Sequence, residues 1–177
     1  MSEVPQRPQG ASPGPDARAA HPPPAERSRA ALGLAAAAAL GRLELQVCSE
    51  CGAVQYPPRE ACHRCLCGEL KWQPQSGQGE LICETTLHHS YEPYFRDRLP
   101  WRIGMVRLDC GPTVITHVRA GVSCAPCRVR IVARLDQAGQ AALIALPERE
   151  TGDGAADMAG DPRLQELTRE PDHGAPQ

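Results

Sequence analysis

The sequence reads CSECGAVQYPPREACHRCLCGELKW over residues 48–72, and this stretch holds five of the nine cysteines in the 177-residue chain. Cys48 and Cys51 form one CxxC pair, and Cys62 and Cys65 form a second pair after ten intervening residues. Two CxxC pairs at this separation are typical of the two tight turns, or knuckles, of a zinc ribbon. The stretch therefore predicts a rubredoxin-like ribbon in which four thiolates bind one Zn²⁺ ion per chain: Cys48, Cys51, Cys62 and Cys65.

The predicted ion is structural rather than catalytic. Four thiolates complete a tetrahedral shell and leave no coordination position for water or a substrate. Gly52 follows the first knuckle directly, where the turn favours a residue without a Cβ atom, and Gly68 lies shortly after the second knuckle. His63 and Cys67 lie close enough to the second pair for either to replace one thiolate, so a variant ligand set stays open.

Other uses of the cysteines fit the sequence less well. A disulfide framework favours an even cysteine count and an oxidising compartment, whereas this chain has nine cysteines and no convincing secretory signal. A thioredoxin-type redox pair is expected at a strand-to-helix turn in a βαβ pattern, which the surrounding sequence does not show. A second metal site could draw on His88, His89, His117, Cys124 and Cys127, but the sequence disfavours it. His88 and His89 are adjacent strand residues that point to opposite faces, and no further CxxC pair remains to complete a site with Cys124 and Cys127.

The part of the chain after the ribbon reads as a small barrel. Five short β-branched runs, separated by turn residues, cover 79–89, 102–109, 112–118, 128–135 and 141–147. Five strands without an intervening helix predict a partly open barrel, and the oligonucleotide/oligosaccharide-binding (OB) barrel is the commonest five-stranded form. The predicted fold class is mainly β: an N-terminal helix, the zinc ribbon, a five-stranded OB-type barrel and disordered termini.

Composition divides the chain into five segments. Both ends are rich in residues that bury little apolar surface, so both should be removable. Within the last segment, Asp161 to Glu170 has a helix start signal, with Asp161 as N-cap and Pro162 in the first turn. The expected segments are a disordered Pro/Ala-rich leader (1–25), a helix and lead-in strand (26–46), the zinc ribbon (47–74), the OB barrel (75–147) and an acidic flexible tail (148–177).

The net charge of −2 is unevenly distributed along the chain. Residues 59–134 hold eleven basic and seven acidic residues, whereas residues 136–177 hold three basic and nine acidic residues. A mildly basic body suits an anionic small ligand or an acidic partner surface, and is too weakly basic to indicate nucleic acid. The Ala-rich stretch after Arg29 is too short to span a bilayer, so we expect a cytoplasmic protein without a membrane contact.

The connection between the first two predicted barrel strands is unusually aromatic. This aromatic loop, SYEPYFRDRLPW over 90–101, holds four of the six aromatic residues of the chain. Aromatic faces beside guanidinium groups are suited to partner docking, or to stacking a base while holding its phosphate. Alternatively, the aromatic side chains plug the barrel mouth and the arginines form a solvated rim. The candidate binding residues are Tyr94, Phe95, Arg96, Arg98, Trp101 and Arg102.

The order of these features resembles a known family. An Ala-rich helix precedes GRLELQVCSECGAVQYPPREACHRC, and GELKW, GQGEL and MVRLDCGPTVITHV follow. Over about residues 27–147, this order is similar to that of bacterial and archaeal zinc-ribbon/OB-fold proteins that accompany thiolases. That family was formerly catalogued as a domain of unknown function and was then renamed for its association with acyl-CoA.

The resemblance implies a non-catalytic accessory subunit of a hetero-oligomeric complex. The implied partner is a thiolase-like enzyme acting on acyl-CoA (a thiolase, an aldolase or an acyltransferase), or in some cases an acyl-CoA hydratase. The subunit would stabilise that partner and help to form the passage for CoA or acyl-CoA. The candidate residues of the aromatic loop would then contact either the partner or CoA. The four ribbon cysteines match the family's metal positions, and the family pattern supplies no catalytic residue.

Two functions from other classes compete with this interpretation. OB barrels and zinc ribbons also bind single-stranded nucleic acid, but the net charge of −2 and the scarcity of aromatic residues on the strands count against it. A stand-alone thioester enzyme using Cys110 or Cys124 lacks a recognisable base near either residue.

Overall fold

The structure is a computed structural model that describes residues 21–25, 27–122, 125–148 and 160–168. Most of the predicted leader therefore lies outside the described residues. No helix in the described ranges is long and apolar enough to cross a membrane. The helices are α1 (Leu32–Ala39), preceded by a 3₁₀ turn at Arg29–Ala31, α2 (Pro93–Arg96) and α3 (Pro162–Leu167). The strands are β1 (Glu44–Cys48), β2 (Val54–Gln55), β3 (Leu70–Pro74), β4 (Gln78–Leu87), β5 (Trp101–Leu108), β6 (Thr113–Val118), β7 (Cys127–Leu135) and β8 (Ala141–Pro147).

The ribbon is a three-stranded antiparallel sheet in the order β2–β1–β3. Gln46 of β1 pairs with Gln55 of β2 on one side, and the whole of β1 pairs with β3 on the other. Helix α1 approaches this sheet at Gly33, where a Cβ atom would collide with the indole ring of Trp72. This close approach explains a glycine inside a helix, a position where glycine otherwise costs about 1 kcal/mol relative to alanine.

The barrel is closed, with strand order β4–β5–β6–β8–β7 and β7 pairing back onto β4. Every pair is antiparallel except β6 with β8. This arrangement confirms the predicted mainly β, OB-type fold, although the barrel is closed rather than partly open. Closure is achieved because β4 pairs with β5 along most of its length and with β7 through its first four residues.

One apolar cluster fills the barrel and extends into the ribbon. Its barrel members come from all five strands and include Leu81, Val106, Val114, Val129 and Ala145, each almost fully buried. The same cluster contains Leu34 and Ala38 of α1 and, from the start of the ribbon, Leu43 and Leu45. The N-terminal helix, the ribbon and the barrel therefore share a single core.

A second apolar cluster covers the outside of the barrel at β7 and β8. Strand β8 is apolar on both faces, because Leu143 and Ala145 belong to the inner cluster while Ala142, Ile144 and Leu146 belong to the outer one. Helices α2 and α3 cover this outer face with buried side chains: Tyr94 from α2, and Leu164 and Leu167 from α3.

Helix α3 corrects the prediction that residues 148–177 form only a flexible tail. The predicted N-cap is present: the Asp161 carboxylate accepts hydrogen bonds from the Leu164 amide at 3.3 Å and from the Ala120 amide at 2.9 Å. The helix ends earlier than the predicted Glu170, and Thr168 forms a β-bridge with Asp136. Residues 160–168 are thus part of the folded body, while 149–159 and 169–177 lie outside the described residues.

Candidate metal centre and partner surface

The four predicted zinc ligands lie together at the ribbon knuckles. The Sγ atoms of Cys48, Cys51, Cys62 and Cys65 all lie within 4.8 Å of one another. Cys48 Sγ is 3.5 Å from Cys65 Sγ, and Cys51 Sγ is 3.6 Å from Cys62 Sγ. A tetrahedral site with zinc–sulfur bonds of about 2.3 Å has sulfur–sulfur edges of about 3.8 Å. The sulfur positions therefore fit one zinc ion bound by these four thiolates.

Backbone hydrogen bonds shape the two knuckles in the same way. The amide of Gly52 donates to the Cys48 carbonyl, and the amide of Leu66 donates to the Cys62 carbonyl, each at 3.0 Å. The residue after each CxxC pair has a left-handed backbone, with φ of 68° at Gly52 and 62° at Leu66. The second knuckle thus places a leucine in this conformation, rather than using the predicted Gly68. The left-handed conformation costs a non-glycine residue roughly 1–2 kcal/mol.

The knuckle amides favour thiolates at two of the four cysteines. The amide of Cys51 lowers the pKa of Cys48 to about 6, and the amide of Cys65 lowers the pKa of Cys62. The Cys67 amide also lowers the pKa of Cys65, but the side chains of Cys48 and Cys51 raise it by more. The net result is a pKa of about 12 for Cys65. Four thiolates at these distances repel one another, so their full deprotonation needs a cation between them.

His63 and Cys67, the two alternative zinc ligands, make contacts outside the group of four cysteines. His63 Nδ1 lies 3.2 Å from Gln55 Oε1, and the Cys67 sulfur accepts a hydrogen bond from the Glu69 amide at 3.2 Å. In the part of the chain that the structure describes, the four ribbon cysteines are the one group of three or more metal-ligating side chains. The second metal site weighed from the sequence is therefore not assembled there, and its Cys124 lies outside the described residues.

Three of the six candidate binding residues in or beside the aromatic loop are buried. Tyr94 is 1% exposed, Trp101 is 3% exposed, and both belong to the outer apolar cluster. Arg98 is 8% exposed; its guanidinium carbon lies 3.9 Å from the centre of the Tyr94 ring, and Nη2 pairs with Glu166 of α3 at 2.5 Å. These side chains hold the loop and α3 onto the outer wall of the barrel, and do not plug its mouth.

The other three candidates lie nearer the surface. Phe95 is half-buried and stacks on His117, with ring centres 5.9 Å apart. Arg102 donates to Glu84 at 2.5 Å and to two backbone carbonyls of the β6–β7 connection at 3.1 and 2.6 Å. Arg96 is exposed. Because Arg102 is committed to these bonds, Phe95 and Arg96 are the candidates most accessible to a partner.

The outer wall also carries an exposed apolar row, which the sequence interpretation missed. Cys83, Met105 and Ile115 lie opposite one another on β4, β5 and β6, and Met105 is 44% and Ile115 64% exposed. The row borders the outer cluster. Two residues away on the same strands, Ile103 packs against that cluster and His117 contacts the rings of Phe95 and Trp101. The available signal was RIGMVRL, which is apolar on both faces of a strand, a pattern typical of cover on both sides.

His117 acts as a neutral hydrogen-bond acceptor in this outer wall. The indole Nε1 of Trp101 donates to His117 Nδ1 at 2.9 Å. Burial, and secondarily the positive charge of Arg27, lowers the pKa of His117 to about 4. A proton on Nδ1 would remove the acceptor that the indole uses, so the neutral imidazole belongs to the folded state.

We expect the folded protein to lose stability as the pH falls from about 6.5 towards 4. The unfolded chain takes up a proton at His117 near pH 6.5 and the folded chain only near pH 4, so acid below about pH 6.5 favours unfolding. The contribution of His117 to the loss of unfolding free energy between about pH 7.5 and 5 amounts to about 2 kcal/mol. Urea unfolding at both pH values compares the wild type with His117→Gln, which keeps an acceptor for Trp101 but does not titrate. Equal losses in the two proteins, at unchanged zinc content, would contradict this role.

The ribbon and the barrel together define the class: this is a zinc-ribbon/OB-fold protein. Residues 35–70 match the family model described as "ChsH2, rubredoxin-like zinc ribbon domain", and residues 72–144 match "ChsH2, C-terminal OB-fold domain". The two matched ranges follow each other in order and cover more than half of the chain. The chain therefore belongs to the ChsH2 family of zinc-ribbon/OB-fold proteins.

A solved structure has the same fold. It is described as an "Ltp2-ChsH2(DUF35) aldolase", and it aligns with a TM-score of 0.58 and 20% sequence identity. The alignment covers 68% of this chain and 96% of that chain. At this identity the likeness establishes the fold. A comparison with curated proteins gives no match.

Proposed function

We propose that the chain is a non-catalytic accessory subunit of a thiolase-like complex that forms or cleaves C–C bonds in acyl-CoA. The observation that carries the proposal is the ordered match of both ChsH2 domain models along residues 35–70 and 72–144. The similar solved structure supports it, because it is described as an aldolase in which ChsH2(DUF35) is joined to Ltp2. In this role the chain stabilises its partner and helps to form the passage for CoA or acyl-CoA. It works in the cytoplasm, where its zinc-binding thiols stay reduced.

Two of the remaining described thiols, Cys110 and Cys83, support an accessory role over a stand-alone thioester enzyme. Burial raises the pKa of the Cys110 thiol, which lowers its thiolate fraction and makes it a poor nucleophile at neutral pH. Cys83 is exposed, but its cross-strand neighbour is Met105, which cannot act as a general base. The closed metal shell adds no catalytic position.

The burial of Tyr94 and Trp101 counts against the nucleic-acid alternative. Single-stranded nucleic acid binds by stacking bases on exposed aromatic faces along a basic groove. Here both rings lie in the outer apolar cluster, so their faces are already covered by protein.

We assign the partner contact to the outer barrel wall. The contact surface comprises the exposed Met105 and Ile115 at its centre, with Phe95 and Arg96 from the aromatic loop beside them. An apolar centre containing Met and aromatic side chains, with charged groups at its edge, matches the usual anatomy of protein interfaces. The charged groups are present: Arg107 pairs with Glu80 at 2.6 Å on the strands that carry the apolar row.

The loop residues divide into two roles under this proposal. Tyr94, Arg98, Trp101 and Arg102 position the contact surface through their buried or internal contacts. Arg96 is the candidate for a CoA phosphate, because its side chain is 54% exposed and its ion-pair partner, Asp97, is a sequence neighbour on the surface. Arg98 is already paired with Glu166 of α3, so its loss would loosen the fold as well as the complex.

A binding experiment tests the accessory role. The zinc-loaded chain is mixed with a thiolase-like enzyme from the same genome and, separately, with an acyl-CoA hydratase, and the Kd of each complex is measured. We expect a stable complex with the thiolase-like enzyme. Ile115→Asp should weaken it at least thirtyfold, because truncating or charging an interface hot spot costs about 2 kcal/mol or more.

The matched control is Leu66→Asp, which places the same charge on an exposed leucine at the ribbon knuckle. It should leave the Kd unchanged, whereas Phe95→Ala should weaken the complex without changing zinc content. Absence of a complex with the thiolase-like enzyme would contradict the proposed function. Equal weakening by Ile115→Asp and Leu66→Asp would instead contradict the assigned surface.

A further inference from the structure

A cleft of about 560 Å³ lies between the ribbon and the barrel. The ribbon side is formed by β2 and the loop after it, with Tyr56, Arg59, His63 and Arg64 among the lining residues. The barrel side is the β5–β6 turn, residues 110–113. The volume lies within the range of about 300–1,000 Å³ that small-molecule sites occupy.

The lining of this ribbon–barrel cleft is basic, and its positive charges are not paired with any described carboxylate. It includes two arginines and a histidine but no aspartate or glutamate. Among the described residues, the guanidinium groups of Arg59 and Arg64 have no ion pair and no hydrogen-bond partner. Two guanidinium groups around one concave surface create a positive potential that favours an anion.

A neighbouring cleft has equal numbers of acidic and basic side chains in its lining. It has a volume of about 500 Å³, borders the same β5–β6 turn, and is lined by two acidic and two basic side chains. Arg128 pairs with Asp109 at 2.6 Å, and Arg107 pairs with Glu80 at 2.6 Å. Its charges are satisfied internally, so the imbalance is specific to the ribbon–barrel cleft.

Two buried glutamines fix the loop that carries the arginines. Gln46 donates to the Arg59 carbonyl at 2.9 Å and accepts from the Arg59 amide at 2.8 Å. Gln55 accepts from the His63 amide at 3.1 Å and donates to Gln46 at 3.2 Å. Buried amides are costly unless fully bonded, so this network gives the loop a defined backbone. The basic side chains therefore extend from a preorganised segment.

We propose that the ribbon–barrel cleft binds a phosphorylated organic anion of nucleotide size. Guanidinium groups bind phosphate oxygens through bidentate, charge-assisted hydrogen bonds. Tyr56 and Thr113 also line the cleft, and a hydroxyl group can serve as a neutral hydrogen-bond donor to a phosphate. The phenol of Tyr56 is protonated at neutral pH, and burial raises its pKa further. This binding site belongs to the chain itself and does not depend on the identity of its partner.

A simpler role for the arginines is to offset charge at the metal. One zinc ion with four thiolates carries a net charge of −2, which nearby cations would stabilise. The polar contact from Arg64 to the cluster comes, however, from its backbone amide, which donates to Cys62 Sγ at 3.4 Å. The two roles therefore predict different results when the arginine side chains are replaced.

The test is calorimetric titration of the full, zinc-loaded chain with ADP, inorganic pyrophosphate and adenosine at low salt. We expect saturable 1:1 binding of ADP, weaker binding of pyrophosphate and none of adenosine. Arg59→Gln/Arg64→Gln should weaken ADP binding at least tenfold, because each lost charge-assisted bond contributes strongly. The control Arg29→Gln/Arg42→Gln removes the same charge from exposed arginines outside the cleft and should bind ADP as the wild type does.

A second variant keeps the test valid if the arginine pair affects folding. Thr113→Val removes a hydroxyl from the barrel side of the cleft, away from the metal, and should weaken ADP binding severalfold at unchanged zinc content. No ADP binding by the wild type, or equal weakening by the two arginine pairs, would overturn the proposal. Pyrophosphate binding as tightly as ADP would overturn the assignment of a nucleotide-sized ligand. Zinc loss from the Arg59/Arg64 variant, together with no ADP binding by the wild type, would assign these arginines to the metal centre.

Discussion

The double substitution Cys48→Ser/Cys62→Ser is expected to abolish zinc binding and unfold the ribbon. It removes one thiolate from each knuckle, and the remaining two sulfur atoms cannot complete a tetrahedral site. Structural zinc sites contribute about 10–16 kcal/mol of apparent binding free energy at neutral pH, whereas a whole domain is stable by about 5–15 kcal/mol. Loss of the ion therefore exceeds what the small ribbon sheet can replace.

Elemental analysis and X-ray absorption measure this effect directly. The wild type should contain about one zinc per chain with sulfur neighbours at about 2.3 Å. Cys110→Ser is the matched control, because Cys110 lies outside the metal group and its loss should leave zinc content unchanged. Full zinc retention in the double variant would contradict the assignment. Loss of zinc from Cys67→Ser would instead point to the variant ligand set.

Removal of α3 is expected to destabilise the barrel by several kcal/mol. Leu164 and Leu167 are almost fully buried in the outer apolar cluster, and each leucine-to-alanine change in such a site costs about 2–5 kcal/mol. Leu164→Ala/Leu167→Ala should therefore lower the unfolding free energy by about 4 kcal/mol or more. A chain ending at residue 147 should lose at least as much, since it also loses the Arg98–Glu166 ion pair.

Urea unfolding of the zinc-loaded proteins checks this expectation. Gln165→Ala is the control, because Gln165 is exposed on the same helix and alanine is a strong helix former. A further control ends the chain at residue 168, which removes only residues outside the described range. If the chain ending at 147 unfolded with wild-type free energy, the composition-based expectation that the tail is removable would be right after all.

The ribbon and the strands were accessible from sequence because their signals are local. Two CxxC pairs encode the metal site within 18 residues, and short β-branched or apolar runs with turn residues between them mark the barrel strands. The observed strands agree with the predicted runs to within about two residues at most ends, which is the usual uncertainty of strand limits. The exact turn residue was not predicted: Leu66, rather than a glycine, adopts the left-handed conformation at the second knuckle.

The outer apolar cluster was not predicted, because it joins parts of the chain that are distant in sequence. It brings Tyr94 and Trp101 of the aromatic loop together with Leu164 and Leu167 of α3. Composition shows that a loop is aromatic but does not show which surface buries it. The one indication was β8, whose sequence AALIALP is apolar at every position and so requires cover on both faces. The partner and CoA roles of the loop stay proposals for the same reason.

The shared core of helix, ribbon and barrel has a thermodynamic consequence for the whole molecule. Because Leu34, Leu43 and Leu45 pack in the same cluster as the barrel interior, the ribbon cannot unfold without exposing barrel surface. The ion then acts as a ligand of the entire native state, and each tenfold rise in free zinc above the dissociation constant adds about 1.4 kcal/mol to the unfolding free energy of every strand. Cellular zinc supply would thereby control how much folded subunit exists to occupy its complex.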